Sequence, residues 1–474
     1  MPPRPYLSPA NLLEDLRASF WALPLAGLVV AATLAWGSHS LDVRLFARPS
    51  GTVVAADGFV GAVDVATVRQ LLTALAGAVA GIVGIVFSVT ITTLTLASQQ
   101  FGPHVLRTYM QRRFVQVVLA TLVGTVLWAM LSLHWLGAAE SADYRPAATA
   151  ALALGLVALD LLLLVLFVHS TATSIQVDSI IASVHEDHRS RLGVLFPDGA
   201  SDPEAIDAEG AGEASAPGAG RAIAARRDGY LQSIDRRRLV ALAAERDVRV
   251  EVVREPGAWV LRGTAIAEVH APAGAVRGGA RVGDVDRRVE RLLVLGRSPT
   301  PEQDPRFALR QLHQIAERAL SPSLNDPQTA ATCIARVGAI ASDLLGRDAV
   351  RHRFVDAGGT VRLIERRSDP GELLAFAFDA LVRAGAGRPD TGAELLRTVR
   401  TLAELHPRSP WLGRLGDVLA RVAGALAHET LDPFDTARLD AALEAARAAV
   451  AGDRTVGPAR APDPEPHSWP VHDL

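Results

Sequence analysis

Four long apolar segments in the first 170 residues constrain this chain more than any other feature. They cover residues 20–36, 71–98, 115–136 and 147–168, and together they hold one acidic residue and no arginine. A helix of about 20 apolar residues crosses the hydrocarbon core of a bilayer, which is about 30 Å thick. Because backbone amides find no water in lipid, we predict that each segment is a membrane-spanning helix.

The arginines around these segments predict the orientation of the chain in the membrane. They lie before the first segment, between the second and third, and after the fourth: Arg4, Arg17, Arg107, Arg112, Arg113, Arg189 and Arg191. The other two loops mix acidic residues with arginine. The positive-inside rule therefore places both termini in the cytoplasm. If residues 4–36 were instead a signal peptide, the C-terminal part would keep the same orientation.

The second apolar segment carries small and hydroxyl residues at spacings of three and four. They are Gly77, Gly81, Gly84, Ser88, Thr92, Thr95 and Gln99. This spacing places them on one side of the second predicted helix, which we label α2, and we call them the α2 stripe. One interpretation is a tight seam with another helix of the bundle, where small residues let backbones approach. The other interpretation is a water-contacting surface that lines a path in an oligomer.

Asp160 is the acidic residue inside the fourth apolar segment. A carboxylate in lipid is costly and faces a partner or water. It could be a proton or cation site. A structural role is favoured, in which the carboxyl group is protonated or bonded to a threonine of a neighbouring helix.

The chain beyond the fourth segment is predicted to be cytoplasmic and of mixed structure. We divide the sequence into a four-helix transmembrane domain (1–170), a membrane-proximal helix with a flexible linker (171–225), a small β-rich module (226–300), a helical domain (301–452) and a disordered tail (453–474). The predicted fold class is an α-helical integral membrane protein with a mixed α+β cytoplasmic region, composed of a small β-barrel-like module plus a helical bundle.

The predicted β-rich module resembles the small barrel of biotinyl- and lipoyl-carrier modules and of membrane-fusion adaptors. Short alternating strands separated by glycine-containing turns carry this resemblance, as in residues 248–253 and 265–270. Those carriers attach their cofactor to a lysine, and this chain contains no lysine. Covalent carrier function is therefore excluded, which leaves a structural or partner-binding module.

A proline-containing segment between two predicted helices is a further candidate site. Its polar and conformationally restricted residues are Ser321, Pro322, Asn325, Asp326, Pro327 and Thr329. An acidic residue followed by proline is typical of a helix N-cap with proline in the first turn. The segment is therefore either a rigid capped turn or a binding loop.

Composition and missing motifs argue against an enzyme. The absence of lysine excludes a Walker A loop, and the lone Cys333 excludes an intramolecular disulfide and a cysteine-based metal cage. The densest group of possible metal ligands, residues 185–188, is consecutive on a predicted helix, so its side chains point in different directions. A net charge of −3 offers no concentrated basic surface for nucleic acid. We expect no catalytic centre and no cofactor.

Two stretches of the sequence carry distinctive motifs. The first lies within residues 87–106 and includes Ala97-Ser98-Gln99-Gln100-Phe101-Gly102-Pro103-His104. The second is Gln303-Asp304-Pro305-Arg306-Phe307 followed by Ala319-Leu320-Ser321-Pro322-Ser323-Leu324-Asn325-Asp326-Pro327-Gln328-Thr329-Ala330. Both stretches resemble a family of predicted bacterial membrane proteins, domain of unknown function 2254. The resemblance implies a bacterial inner membrane location and implies no established activity.

Two functional hypotheses follow from the sequence. The first is a homo-oligomeric, channel-like or transport protein with the second helix at a central path and the cytoplasmic domain as gate or sensor. The alternative is a non-conducting scaffold or signalling protein whose cytoplasmic domain binds a protein partner. Both place the chain in the lipid bilayer.

Overall fold

The computed structural model describes residues 22–46, 64–101, 113–138, 146–174, 177–196, 205–206, 220–271, 279–348, 350 and 352–452. It divides into two compact units, Met1–Ile180 and Ile181–Leu474. We call them the apolar unit and the polar unit. The predicted tail and most of the predicted linker lie outside the described residues. The other domain boundaries stay predictions.

The apolar unit contains four long helices, as predicted. They are α1 (Ala22–Phe46), α2 (Val65–Phe101), α3 (Arg113–Ala138) and α4 (Ala147–Ser174). Within them, four stretches are long and apolar enough to cross a membrane: Leu23–Arg44, Val65–Thr95, Phe114–Gly137 and Ala147–Thr171. The helices extend beyond most of the predicted limits because polar residues at their ends continue the helix. The four predicted helices are confirmed, and each is long and apolar enough to span a membrane.

Helix α3 is the central helix of the apolar unit. It contacts all three other helices, and half of its apolar stretch is buried, against about a fifth for the other three. Small residues allow its closest approach to α1. A Cβ built at Gly27 would lie 2.8 Å from the carbonyl oxygen of Ala120, and one at Gly124 would lie 3.4 Å from that of Gly27. Any larger side chain at Gly27 would force the two helices apart.

The polar unit contains two open β-sheets and a group of helices. Its helices are α5 (Val177–Leu195, which includes the division between the units), α6 (Arg236–Glu245), α7 (Gly279–Leu292), α8 (Phe307–Ala319), α9 (Pro327–Leu345), α10 (Pro370–Gly385), α11 (Pro389–Leu405), α12 (Leu412–Leu426) and α13 (Pro433–Ala451). Its strands are β1 (Ala205–Ile206), β2 (Arg221–Ala224), β3 (Gly229–Ile234), β4 (Arg249–Val252), β5 (Trp259–Val260), β6 (Ala265–His270), β7 (Leu293–Gly296), β8 (Arg353–Val355) and β9 (Val361–Glu365).

The strands predicted to form one small barrel are divided between the two sheets. The larger sheet has the order β1-β8-β9-β4-β6-β2, and the smaller has the order β5-β3-β7. Among the described residues no closed barrel forms, so the barrel-like module is not confirmed. The reason is that β4 pairs in parallel with β9, which lies more than a hundred residues later in the chain. Local alternation in the sequence does not encode such a distant partner.

The cores of the polar unit follow from apolar periodicity. Val250 of β4, Val269 of β6 and Leu363 of β9 are neighbours on one face of the larger sheet, and they are buried in one cluster with Leu239 of α6. Helices α8 to α13 bury aliphatic faces against one another. The region predicted to be helical, residues 301–452, contains α8 to α13 and also strands β8 and β9, whereas α7 lies within the predicted β-rich module.

Candidate functional site

The α2 stripe lies on the outside of the apolar unit. Its exposed members are Gly77, Gly81, Gly84, Ser88, Thr92 and Thr95, and the side chain of Gln99 lies outside the described residues. A Cβ built on any of the three glycines would meet no described atom within 4 Å. The opposite side of α2 packs into the bundle through buried Leu72, Leu75 and Val79.

The tight seam within the bundle therefore lies elsewhere. It joins Gly27 of α1 to Ala120 and Gly124 of α3. A small-residue repeat indicates that a helix can be approached closely, but the repeat does not identify the approaching helix. Among the described residues, no helix of the same chain approaches the glycines of the stripe, so its interpretation as a seam within the bundle stays a prediction.

The outward faces of the other helices have a different composition. Helix α4 exposes bulky aliphatic side chains, among them Leu161, Leu162, Val165 and Val168. Helix α1 does the same with Leu25 and Val29. These residues suit contact with lipid tails. The α2 stripe, although it is flanked by exposed Ile85 and Ile91, offers backbone and hydroxyl groups instead.

Asp160 is buried between α3 and α4. Its Oδ1 accepts a hydrogen bond of 3.3 Å from the Thr125 hydroxyl, and its Oδ2 has no partner among the described residues. The predicted threonine of a neighbouring helix is thus present. Two more polar atoms on the same side of α3, Trp128 Nε1 and Ser132 Oγ, are also buried without a described partner. The interior of this unit therefore contains a polar strip around one acidic side chain.

Asp42 is a second buried acid of the apolar unit, and sequence reasoning placed it in a loop. It lies near the end of α1, and it accepts hydrogen bonds from the first turn of α4. Its partners are Ala148 N at 2.7 Å, Thr149 N at 3.2 Å and the Thr149 hydroxyl at 2.5 Å. A carboxylate at a helix N-terminus satisfies amides that have no partner within the helix. The only signal in the sequence was an aspartate close to an apolar segment.

The predicted proline-containing segment forms a capped turn between α8 and α9. Asp326 accepts bonds from Thr329 N at 3.0 Å and from the Thr329 hydroxyl at 2.6 Å, and Pro327 occupies the first turn of α9. These hydrogen bonds, with that of the Thr329 side chain first, lower the pKa of Asp326. The predicted cap is confirmed, and whether the segment also binds a ligand stays a prediction.

Arg388 stabilises this turn through two hydrogen bonds. It donates to Asn325 Oδ1 at 2.8 Å and to the carbonyl oxygen of Leu320 at 2.6 Å. Asn325 has a positive φ of 45°, which asparagine tolerates better than most residues. Ser321, Pro322 and Leu324 remain accessible, because none of them is buried. The turn is thus rigid in its backbone and open on its surface.

The Gln303-Asp304-Pro305-Arg306-Phe307 motif links α8 to the sheets. Gln303 bonds both backbone groups of Ile234, at 2.9 Å and 3.2 Å. Buried Asp304 forms an ion pair with Arg310 and accepts a bond from Arg306 N. Burial raises the pKa of Asp304, against the lowering effect of Arg310. Arg306 in turn bonds Glu255 at 2.5 Å.

Glu365 is the most deeply buried charge of the polar unit. Its side chain is fully buried, and its Oε1 lies 2.7 Å from Arg236 Nε and 3.4 Å from Arg367 Nε. A small cavity of about 20 Å³ lies beside Arg236 and Arg367, with room for about one water molecule. The cavity is also lined by Glu255 and Gln303, so residues of both sets of contacts lie around it.

Two histidines of α5 are buried, whereas Glu186 between them is exposed. His185 and His188 lie on one side of the helix, and Glu186 points to solvent. Burial lowers the pKa of both imidazoles, that of His188 to about 4. Glu186 therefore points away from the two histidines, as expected, whereas His185 and His188 share one side of the helix.

One comparison with known proteins identifies a family of predicted membrane proteins. A family model described as "Predicted membrane protein (DUF2254)" matches residues 17–401. The chain is 30% identical over 337 residues to an uncharacterized protein of Mycobacterium bovis and to uncharacterized proteins of two Mycobacterium tuberculosis strains. The match covers 71% of this chain and 62% of each relative, so the chain spans less than two thirds of their length. No solved structure matches.

Proposed function

Because the chain belongs to the DUF2254 family of predicted membrane proteins, we propose that it acts in the bilayer as a homo-oligomeric, channel-like protein. In this proposal α2 faces its copies around a central path. The polar unit serves as the gate or sensor of that path, and the chain performs no enzymatic reaction.

One observation carries the proposal: the α2 stripe faces outwards, and no described residue of the same chain covers its three glycines. Gly77, Gly81 and Gly84 have no described neighbour where a side chain would be. Glycine destabilises a helix by about 1 kcal/mol relative to alanine. Contact with lipid alone does not offset this cost for three glycines on one face of α2. Close packing against a second helix would offset it, because small residues let two helix backbones approach each other.

The hydroxyl end of the stripe suits either a wet or a dry contact. Thr95 already donates to the carbonyl oxygen of Ile91 at 2.9 Å, so its hydroxyl is partly satisfied within α2. Ser88 and Thr92 are exposed and offer further hydroxyls. A central path would keep these groups in contact with water or with a permeating species.

The alternative is a non-conducting scaffold or signalling protein. The observation that favours it is an exposed apolar surface on the polar unit, formed by Trp259 and Leu261, whose exposed fractions are 50% and 55%. Tyr230 packs edge-on against Trp259, with ring centroids 4.8 Å apart. A protein partner in the cytoplasm could cover this surface.

The proposed location is the bacterial inner membrane, with both termini in the cytoplasm. The arginine distribution supports this orientation, although most of those arginines lie outside the described residues. A lipid bilayer and further copies of the chain are the partners that the proposal requires, and nucleic acid is not among them.

Thiol accessibility tests the proposal. Cys333 is buried and is the only cysteine, so Cys333→Ser provides a cysteine-free background. Single cysteines at Thr92 and Thr95 are then treated in membranes with a charged reagent that does not enter lipid. Val165→Cys, on the exposed aliphatic face of α4, is the matched control.

The central path predicts fast labelling at Thr92→Cys and Thr95→Cys and slow labelling at Val165→Cys. Equal protection of all three positions would contradict a water-filled path. Native mass measurements in nanodiscs are the second test, because a protein that stays monomeric cannot form a central path between copies. Loss of a co-purifying protein on Trp259→Ala would favour the scaffold.

A further inference from the structure

Two glutamates and one histidine meet on one face of the six-stranded sheet. Glu251 of β4 and Glu268 of β6 are directly opposite in the antiparallel pair, and His270 follows two residues after Glu268 on the same side. The other face of these strands carries buried Val250 and Val252. One ligand atom from each of the three side chains lies within 4.8 Å of the others. We call these residues the β4–β6 triad.

The two glutamates of the triad carry like charges and lie opposite each other on neighbouring strands. Like charges that are directly opposite on neighbouring strands destabilise the pair. Arg249, which pairs with His270 on this face, makes no ion pair with either glutamate within 4.0 Å. A bound cation would turn the repulsion between Glu251 and Glu268 into attraction towards a shared centre.

The distances within the triad fit a metal ion better than direct hydrogen bonds. His270 Nε2 lies 3.6 Å from an oxygen of Glu251 and 3.6 Å from an oxygen of Glu268. Both separations exceed the length of a nitrogen–oxygen hydrogen bond. Two ligands at Zn²⁺ bond lengths would be this far apart at an angle of about 120°, which a four- or five-coordinate ion accepts.

The burial of the triad and the backbone beside it are compatible with an ion-binding site. The His270 side chain is 11% exposed, whereas those of Glu251 and Glu268 are 41% and 39% exposed, so an ion could enter past the carboxylates. Gly220, which immediately precedes β2, lies beside His270 and Glu268. A Cβ there would lie 2.4 Å from His270 Cε1 and 2.9 Å from Glu268 Oε2. Glycine at this position leaves the two ligands where they are.

We propose that Glu251, Glu268 and His270 bind one divalent transition-metal ion of the Zn²⁺ or Mn²⁺ type. Mixed carboxylate and imidazole ligands suit these ions, whereas Mg²⁺ and Ca²⁺ prefer oxygen alone. Three protein ligands leave at least one coordination position for water. This site lies in the polar unit and does not depend on the central path proposed above.

Calorimetric titration of the purified full-length protein, in detergent and without an affinity tag, tests the site. ZnCl₂, MnCl₂ and MgCl₂ are the probes. We expect one Zn²⁺ or Mn²⁺ per chain and much weaker binding of Mg²⁺. Glu251→Gln, Glu268→Gln and His270→Gln should each weaken binding at least about tenfold, because even indirect contributors to metal sites have effects of that size.

Matched controls separate the triad from adventitious binding at the surface. His428→Gln and Glu444→Gln change exposed residues of the same types, and they should leave the affinity unchanged. Gly220→Ala keeps all three ligands but displaces the His270 ring, and it should weaken binding as well. Zn²⁺ should also raise the melting temperature of the wild type and not that of Glu268→Gln, because a ligand stabilises only the form that binds it.

Two results would overturn the proposal. One is the absence of stoichiometric binding of both Zn²⁺ and Mn²⁺ to the folded wild-type protein. The other is an affinity that the triad variants and Gly220→Ala leave unchanged. Since Glu→Gln preserves side-chain size, circular dichroism of each variant would establish that a lost signal is not a lost fold.

Discussion

The two units of this protein place their polar groups in opposite ways. The apolar unit exposes aliphatic side chains and buries acids and hydroxyls, such as Asp42, Asp160 and Thr125. The polar unit buries aliphatic side chains, and most of its charges are at the surface. Apolar side chains are stable in contact with lipid, whereas in water a protein is stabilised by burying them and exposing its polar groups.

The units also differ in how they neutralise a buried acid. In the apolar unit the partners of Asp42 and Asp160 are backbone amides and hydroxyls. In the polar unit the partners of Glu365 and Asp304 are arginine side chains. An arginine at the centre of a bilayer is itself costly, so uncharged donors are the available solution there. The comparison predicts that removal of the acid has different consequences in the two units.

The largest effect is expected for Glu365→Ala in the polar unit. This change leaves Arg236 and Arg367 without their shared carboxylate, and an uncompensated buried charge costs about 3–5 kcal/mol. Urea unfolding, with peptide-level hydrogen exchange to follow the polar unit separately, measures the loss. Glu404→Ala removes an exposed partner of Arg400 and should change little. An equal loss of unfolding free energy for Glu365→Ala and Glu404→Ala would contradict the importance given to the buried arginine partners.

Asp42→Ala is the corresponding change in the apolar unit. It leaves three donors at the start of α4 without an acceptor, and we expect a loss of about 3 kcal/mol. Unfolding in mixed detergent micelles measures it. Asp64→Ala, at an exposed cap of α2 that bonds Thr67 N at 3.0 Å, should cost clearly less. A larger loss at Asp64 would show that burial does not govern these caps.

Acid should destabilise the polar unit through His188. Its pKa is about 4 in the folded chain against 6.5 for an ordinary histidine, because burial disfavours the charged ring. The unfolded chain therefore binds the proton first, and stability falls as the pH drops below 6.5. The expected contribution is about 2 kcal/mol by pH 5. His188→Gln should flatten this part of the profile of unfolding free energy against pH, while exposed His428→Gln should leave it unchanged.

The smallest effect is expected at the turn before α9. Asp326→Ala removes the cap of Thr329 N and should cost about 1 kcal/mol in urea unfolding. Asp326→Asn keeps an acceptor and should cost less. A change that leaves stability intact but abolishes binding of a ligand would instead support the binding-loop interpretation of this segment.

The parts of the fold that depend on local composition were predictable from the sequence. The four membrane helices follow from hydropathy, and the cap of α9 follows from Asp326-Pro327. Contacts between distant residues were not predictable. Asp42 lies 106 residues from Ala148, and β9 pairs with β4 across a comparable distance. Periodicity identified the α2 stripe as one face of a helix, but only the packing of α2 against α3 determined that this face points outwards.

Disulfide cross-linking along the α2 stripe tests the central claim most directly, namely that this face meets another copy of the chain. Gly81→Cys and Ser88→Cys, each in the Cys333→Ser background, are oxidised in native membranes beside Val165→Cys on α4. The account predicts covalent dimers at Gly81→Cys and Ser88→Cys and none at Val165→Cys. Monomers at all three positions, or dimers at Val165→Cys alone, would contradict it.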